Sequence, residues 1–355
     1  MSQPLALFLG PGTYGKSHEA RSCLASYRLR VLPFLQTLTS LGWACALPST
    51  VSEACEILAT GEVRLIYVGK WDQLFHEAAD FCFELFNLIN NPPSEMEPIF
   101  RVVDICENSS VDENEWRSRF FDYWIEHGDL YLASSQELLE EVVLPRMPQG
   151  RKAVVVPDIT EEVMPCSDCI DLNAIGWFGH VTNLHELIEC LLESPNASMR
   201  LVILTRLDQS KALLAKLQIE DQLKGCWPLL QWRAYRGPGY LAEDLADCHS
   251  IVIPVDLANP RKRYGSHNRL TTSLLLGKEV FASPLPSYLP FQQFATLVDD
   301  PLAACLNAVV GEKQPLLSQK GLHERLQEFS PATVGKLLSE LVRDHIQPEC
   351  LSRGG

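Results

Sequence analysis

Residues 251–290 read IVIPVDLANPRKRYGSHNRLTTSLLLGKEVFASPLPSYLP. An apolar run ends at Pro254, a basic and polar loop follows, and Asn268 opens a segment of helical periodicity that Gly277 stops. A second apolar run, Glu279–Ser283, closes the unit at a Pro-rich turn. The pattern predicts strand, loop, helix and strand, with basic and hydroxyl side chains gathered where the helix begins. Free N–H groups and the positive end of the helix dipole make such an end an anion site. The stretch points to a nucleotide or nucleotide-sugar pocket in an α/β fold.

The same alternation extends outward in both directions. Apolar runs that predict strands are Leu5–Leu9, Trp43–Leu47, Leu65–Val68, Ile99–Val103, Leu130–Ala133 and Ala153–Val156. Amphipathic stretches at Arg28–Leu41, Gln73–Leu88, Asn114–Glu126 and Gln136–Val143 lie between them. The pattern then restarts with strands at Ala174–Phe178, Arg200–Leu204, Leu229–Trp232, Ser250–Pro254 and Glu279–Ala282. Their helices are Leu184–Leu192, Ser210–Ile219, Tyr240–Asp247 and Asn268–Leu276. Strands alternating with helices indicate βα units and a parallel sheet. The expectation is α/β: two tandem Rossmann-like domains, each a doubly wound, mainly parallel sheet, facing a cleft. The N-terminal domain spans 1–156, a polar, acidic linker 157–173, and the C-terminal domain 174–330. A terminal helix and tail, 331–355, packs back on the domains through Val334, Leu337, Leu338 and Leu341. Ligands in such sheets bind at strand C-termini.

Composition bounds the chemistry. The chain has 355 residues, 46% of them hydrophobic, enough for two cores of ordinary domain size. A net charge of −15 argues against nucleic acid or an anionic membrane surface as the main partner. It permits a local basic pocket, which Arg261, Lys262 and Arg263 supply. No apolar run approaches the roughly 18 residues that span a bilayer, and Pro4–Leu9 is too short for a leader. The expected location is the cytoplasm, where twelve cysteines stay reduced. Cys166 and Cys169 form a lone CxxC without a second pair at zinc spacing, so no metal site is expected.

A second motif competes. Gly10–Ser17, GPGTYGKS, satisfies the P-loop pattern directly after an apolar strand. In a P-loop the backbone amides wrap phosphates, the lysine reaches a terminal phosphate oxygen and the hydroxyl takes Mg²⁺. The segment that follows, HEARSCLASY, opens no clean amphipathic helix. The preferred reading makes Gly10, Gly12, Gly15 and Lys16 a glycine loop on the cleft wall; a P-loop NTPase is the alternative.

Taken together, the chain resembles the glycosyltransferases of the GT-B fold, in particular family 4-like (glycosyltransferase group 1) enzymes, along nearly its whole length. The residues that carry the likeness are Ser26–Pro33 with the helix ending at Leu41-Gly42, Asp129–Ser135, Val154–Asp158, Ile175–His180 and Ser250–Tyr288. The resemblance implies transfer of a sugar, typically a hexose, from a UDP- or GDP-sugar held by the second domain, without a tightly bound cofactor. The acceptor would be a glycan or lipid-linked molecule, as in polysaccharide biosynthesis, with peripheral membrane contact compatible.

For the donor, the pattern offers Gly179, His180, Arg206, Lys262, Ser266, Asn268 and Arg269, with Trp232 and Arg233 near the base and ribose. Ser266 and Asn268 are equally good helix caps. Arg269 opposes the helix dipole, which favours an anionic partner beside it. An inverting reaction needs a base on the first domain; Asp104 and Glu107 are the candidates, Asp104 doubling as a strand-ending cap. The chain departs from the family at its two glutamates eight positions apart, where Tyr264 and Thr272 stand. The alternative is therefore a GT-B-like binding or assembly module without transferase activity.

Overall fold

A computed structural model describes residues 3–9, 25–48, 50–69, 89, 99–111, 115–161, 163–166, 171–308 and 321–346. The loop Gly10–Ser17, His18, the amphipathic stretch Gln73–Leu88 and Cys169 lie outside them. The chain divides into two compact units, one formed by Met1–Ile159 with Phe329–Gly355 and the other by Thr160–Glu328.

The first unit contains β1 (Leu5–Leu9), α1 (Leu32–Ser40), β2 (Ala44–Ala46), α2 (Val51–Ala59), β3 (Val63–Val68), β4 (Phe100–Ile105), α3 (Glu115–His127), β5 (Leu130–Ala133), α4 (Gln136–Leu138) and β6 (Lys152–Val155). Its six strands run parallel in the order β2-β1-β3-β4-β5-β6. β5 is buried at every residue, as a central strand covered on both faces must be. α1 is entered through a π-helical turn, Tyr27–Val31, and α4 leaves through another, Leu139–Val143. The chain passes from β1 to β2 on one side and then to β3 on the other, so the strand order reverses between β1 and β3.

The second unit holds β7 (Asp171–Phe178), α5 (Leu184–Glu193), β8 (Arg200–Thr205), α6 (Leu207–Leu217), α7 (Glu220–Cys226), β9 (Leu230–Ala234), α8 (Leu241–Asp244), β10 (Cys248–Ile253), α9 (Asn268–Leu275), β11 (Glu279–Ala282), β12 (Thr296–Leu297), α10 (Pro301–Asn307) and α11 (Leu322–Gln327). The strands are again parallel, in the order β12-β11-β10-β7-β8-β9. Residues 251–290 thus form β10, loop, α9, β11 and a 3-10 turn at Pro286–Phe291, as their pattern predicts. Gly277 ends α9 with φ +75°, where a side chain would be strained. β7 and β10 lie so close that a Cβ on Gly176 would stand 2.6 Å from Ile251 Cδ1.

The chain then returns to the first unit as α12 (Pro331–Leu341), capped by Ser330 and continued by a π-helical turn to Ile346. Val334, Leu338, Leu341, Val342 and Ile346 join the core formed by Phe8, Phe34, Leu38, Tyr67, Val102 and Leu132. Phe34 stacks on Tyr67 at 4.9 Å within it. The first unit is therefore built from both ends of the sequence. No described helix is long and apolar enough to cross a membrane.

Candidate functional site

In an open parallel sheet, ligands bind outside the strand C-termini where the strand order reverses. In the second unit that point lies between β7 and β10. The end of β7 runs into Gly179 and His180; the end of β10 runs into the loop that leads to α9.

Gly179 is held by its neighbours on β8: its N–H donates to Leu204 O at 3.2 Å, and Thr205 Oγ1 donates to its carbonyl at 2.8 Å. A Cβ at Gly179 would lie 3.1 Å from two atoms of the buried Trp177 ring and 3.5 Å from Arg269 Nη1. His180 is exposed and turns back on its own chain, Nδ1 lying 3.0 Å from Thr182 Oγ1. Arg206 is exposed at the N-cap of α6, one residue past β8.

Local bonds shape the loop after β10. Val255 N–H donates to Ser283 Oγ at 2.9 Å, Asn259 Oδ1 accepts from Arg261 N–H at 3.0 Å, and Gly265 N–H closes on Lys262 O at 2.9 Å. Ser266 Oγ accepts from Asn268 N–H at 3.1 Å, but the N-cap of α9 is His267, without a side-chain capping bond, rather than the expected Ser266 or Asn268. Asn268 Oδ1 accepts from Thr272 Oγ1 at 3.2 Å.

The two cations of this region differ. Lys262 forms an ion pair with Glu186, a buried carboxylate in the first turn of α5, and donates to Thr182 O at 3.3 Å. Its charge is met inside the protein, and it straps the loop to the β7–α5 connection. Arg269 is half-buried and has no carboxylate partner among its described contacts. Its Nη1 is buried without a hydrogen-bond partner among the described residues. Burial raises the pKa of the Tyr288 phenol, and the charge of Arg269 pulls it partly back. An uncompensated guanidinium beside a glycine turn and a helix N-terminus is an anion-binding arrangement.

The remaining expected residues sit elsewhere. Arg233 spans Asp247, with contacts of 2.9 and 3.1 Å, and is half-buried in that pair; Trp232 packs against the domain core. Tyr264 and Thr272 are buried, Thr272 completely, so neither of the family's acidic positions presents a charge. In the first unit Asp104 is the penultimate residue of β4, and both its carboxylate oxygens are occupied. Arg30 grips it through Nε and Nη2, and Tyr67 donates its phenol proton to Oδ2. Arg30 also reaches Asp158 at 3.3 Å and the carbonyl of Val156. Burial pulls the Arg30 pKa down but Asp104 outweighs it, so the net shift is upward. The Tyr67 pKa is raised well above its ordinary value by burial and Asp104. Glu107 is half-buried and lines a pocket with Asp104, Cys106, Ser109, Phe121 and Trp124. Sequence reasoning missed Glu186, Arg30 and Tyr67. Each acts through a partner far away in the chain, so no local pattern marks it.

No protein-family model matches the chain, and no curated protein matches it. Solved structures do. A glycosyltransferase involved in avilamycin A biosynthesis aligns over 97% of this chain and 98% of its own, at 10% identity and a TM-score of 0.57. The UDP-N-acetylglucosamine 2-epimerase of Rickettsia bellii aligns over 98% of both chains at 11% identity and a TM-score of 0.52. The UDP-GlcNAc 2-epimerase of Methanocaldococcus jannaschii, solved with UDP-GlcNAc and UDP, aligns over 96% and 98% at 11% identity and 0.50. The protein thus has a divergent GT-B glycosyltransferase-like fold.

Proposed function

We infer that the protein is a glycosyltransferase that moves a sugar from a nucleotide-sugar donor to a glycan, glycolipid or related acceptor. The observation that carries this reading is Arg269: a guanidinium without an anionic partner, beside Gly179, at the reversal point of the second sheet. Glycosyl transfer develops negative charge on the departing diphosphate. Donors fixed in place at that spot stabilise the transition state without rearranging. Arg269, the N–H groups at the start of α9 and the exposed Arg206 compensate that charge, while Lys262 and Ser266 hold the loop and helix start in place. Gly179 leaves room for the phosphates to approach, and His180 stands next to them.

An inverting transfer also requires a base for the acceptor hydroxyl. We assign that role to Glu107, which lines the same pocket as Asp104. A second reading, nucleotide-sugar binding without transfer, is favoured by the neutral, buried Tyr264 and Thr272.

Calorimetry with UDP, GDP and their sugars tests the pocket, and release of free nucleotide diphosphate tests the reaction. Binding that is lost in Arg269→Ala, together with donor turnover lost in Glu107→Gln, is the expected result. Binding without turnover on any acceptor would leave the second reading. Mg·ATP hydrolysis abolished by Lys16→Ala would overturn both.

A further inference from the structure

Thr271, Thr272 and Ser273 put three hydroxyls in a row inside α9, and all three residues are completely buried. A buried hydroxyl needs an acceptor for its proton. Two of the three take the local solution and bond back to the preceding turn of the helix. Thr271 Oγ1 donates to His267 O at 3.3 Å and Asn268 O at 3.1 Å, and Ser273 Oγ donates to Arg269 O at 2.7 Å. Thr272 does not. Its Oγ1 donates to a side chain, Asn268 Oδ1, at 3.2 Å, one turn earlier on the same face of the helix.

The direction of that bond fixes the amide. A carboxamide is planar, with an acceptor oxygen on one side and two N–H donors on the other. With Oδ1 turned in to Thr272, the Nδ2 group is turned away from it. Were the amide reversed, the Thr272 proton would lose the one acceptor it has. Asn268 is half-buried at the first position of α9, directly before Arg269, and its Nδ2 makes no hydrogen bond among the described residues. The backbone N–H of Asn268 is already taken by Ser266 Oγ at 3.1 Å. The residue is thus held at two points, and what it has left to offer is a pair of donors. An unanchored amide presents either end, and its oxygen would repel an anion; the buried hydroxyl removes that choice.

We propose that Thr272 is a positioning residue for the donor. It locks the Asn268 carboxamide with its N–H groups outward, where they join Arg269 in holding phosphate oxygens of the nucleotide diphosphate. This rests on the nucleotide-sugar reading of the site and deepens it. The role asks for no charge at Thr272, so it holds whether or not transfer follows binding.

The test titrates the full chain with UDP and with inorganic pyrophosphate as wild type, Thr272→Val, Thr272→Ser, Asn268→Ala and the Thr272→Val, Asn268→Ala double variant. Thr272→Val keeps the branched shape and removes the hydroxyl; Thr272→Ser keeps the hydroxyl. Asn268→Ala should weaken both ligands about tenfold, the scale of one hydrogen bond to a charged group. Thr272→Val should reproduce most of that loss and Thr272→Ser should bind like the wild type. In the Asn268→Ala background Thr272→Val should have no further effect. A second readout does not depend on the buried substitution: the side-chain NH₂ resonances of Asn268, assigned by their absence in Asn268→Ala, should shift when pyrophosphate binds the wild type. Unchanged affinity in Asn268→Ala or in Thr272→Val would overturn the proposal, as would amide resonances that ignore the ligand. A loss from Thr272→Val that persists in the Asn268→Ala background would mean that the hydroxyl acts on the fold alone and would overturn it too, leaving the pocket in place. A wild-type protein that binds neither UDP, GDP nor pyrophosphate would refute the nucleotide-sugar reading itself, and this proposal with it.

Discussion

Arg30 and Arg269 show how the same side chain serves two ends. Arg30 is buried and its charge is met by Asp104 and Asp158. Removing one partner of such a pair strands a charge in a dry interior. Asp104→Asn should therefore lower stability by about 3–5 kcal/mol in chemical denaturation. UDP affinity should not change, because the residues proposed for the donor belong to the other unit. If Asp104→Asn were stable yet abolished turnover, Asp104 would be a catalytic base after all. A second residue-scale prediction concerns Cys248, whose pKa burial and then Asp247 push up to about 12. The folded state holds this proton more tightly than the unfolded chain, whose thiol titrates near 8.5. The resulting stabilisation is complete below that pH and is lost as pH rises toward about 12. At pH 8, iodoacetamide should leave Cys248 unmodified in the native protein and label it in urea. At this scale the sequence showed residue types and neighbours but not pairings. Arg30 and Asp104 are 74 positions apart, and Lys262 and Glu186 are 76.

The elements were far more legible. Leu5–Leu9, Leu130–Ala133 and Glu279–Ala282 have the bounds their apolar runs predict, because strands buried on both faces are written as short continuous apolar stretches. β12 has two residues and no such signature. α2 escaped notice, although Thr50 and Glu53 stand at capping-box spacing and the Thr50 side chain accepts from Glu53 N–H at 3.1 Å. The π-helical turns beside α1, α4 and α12 leave helical periodicity nearly unchanged and are invisible to it. Packing between elements gives a further prediction. A Cβ at Gly176 would meet Ile251 Cδ1 at 2.6 Å, Leu245 Cδ2 at 3.1 Å and Cys248 Sγ at 3.2 Å. Gly176→Ala should cost about 1–3 kcal/mol, the usual range for overpacking, read as a lower denaturation midpoint.

For the whole molecule the decisive fact is the return of α12 to the first unit. The apolar face of 331–346 was legible in its spacing except at Leu337, which is exposed; the unit it completes was not, because a stripe of leucines does not name its partner. Five of its apolar side chains are buried there. At about 1.5–3 kcal/mol each, their loss rivals the entire stability of a typical domain. A protein ending at residue 328 should keep slow hydrogen exchange across β7–β11 and lose it across β1–β6; protection retained in both would sink this account. The same return has a consequence for synthesis. Emerging from the ribosome, residues 160–328 can close their own core as soon as they are free, whereas the unit begun first lacks α12 until residues 331–346 have been made. The N-terminal half is thus the last to fold, and its unfinished apolar surface waits for the C-terminal segment through the translation of the entire second unit.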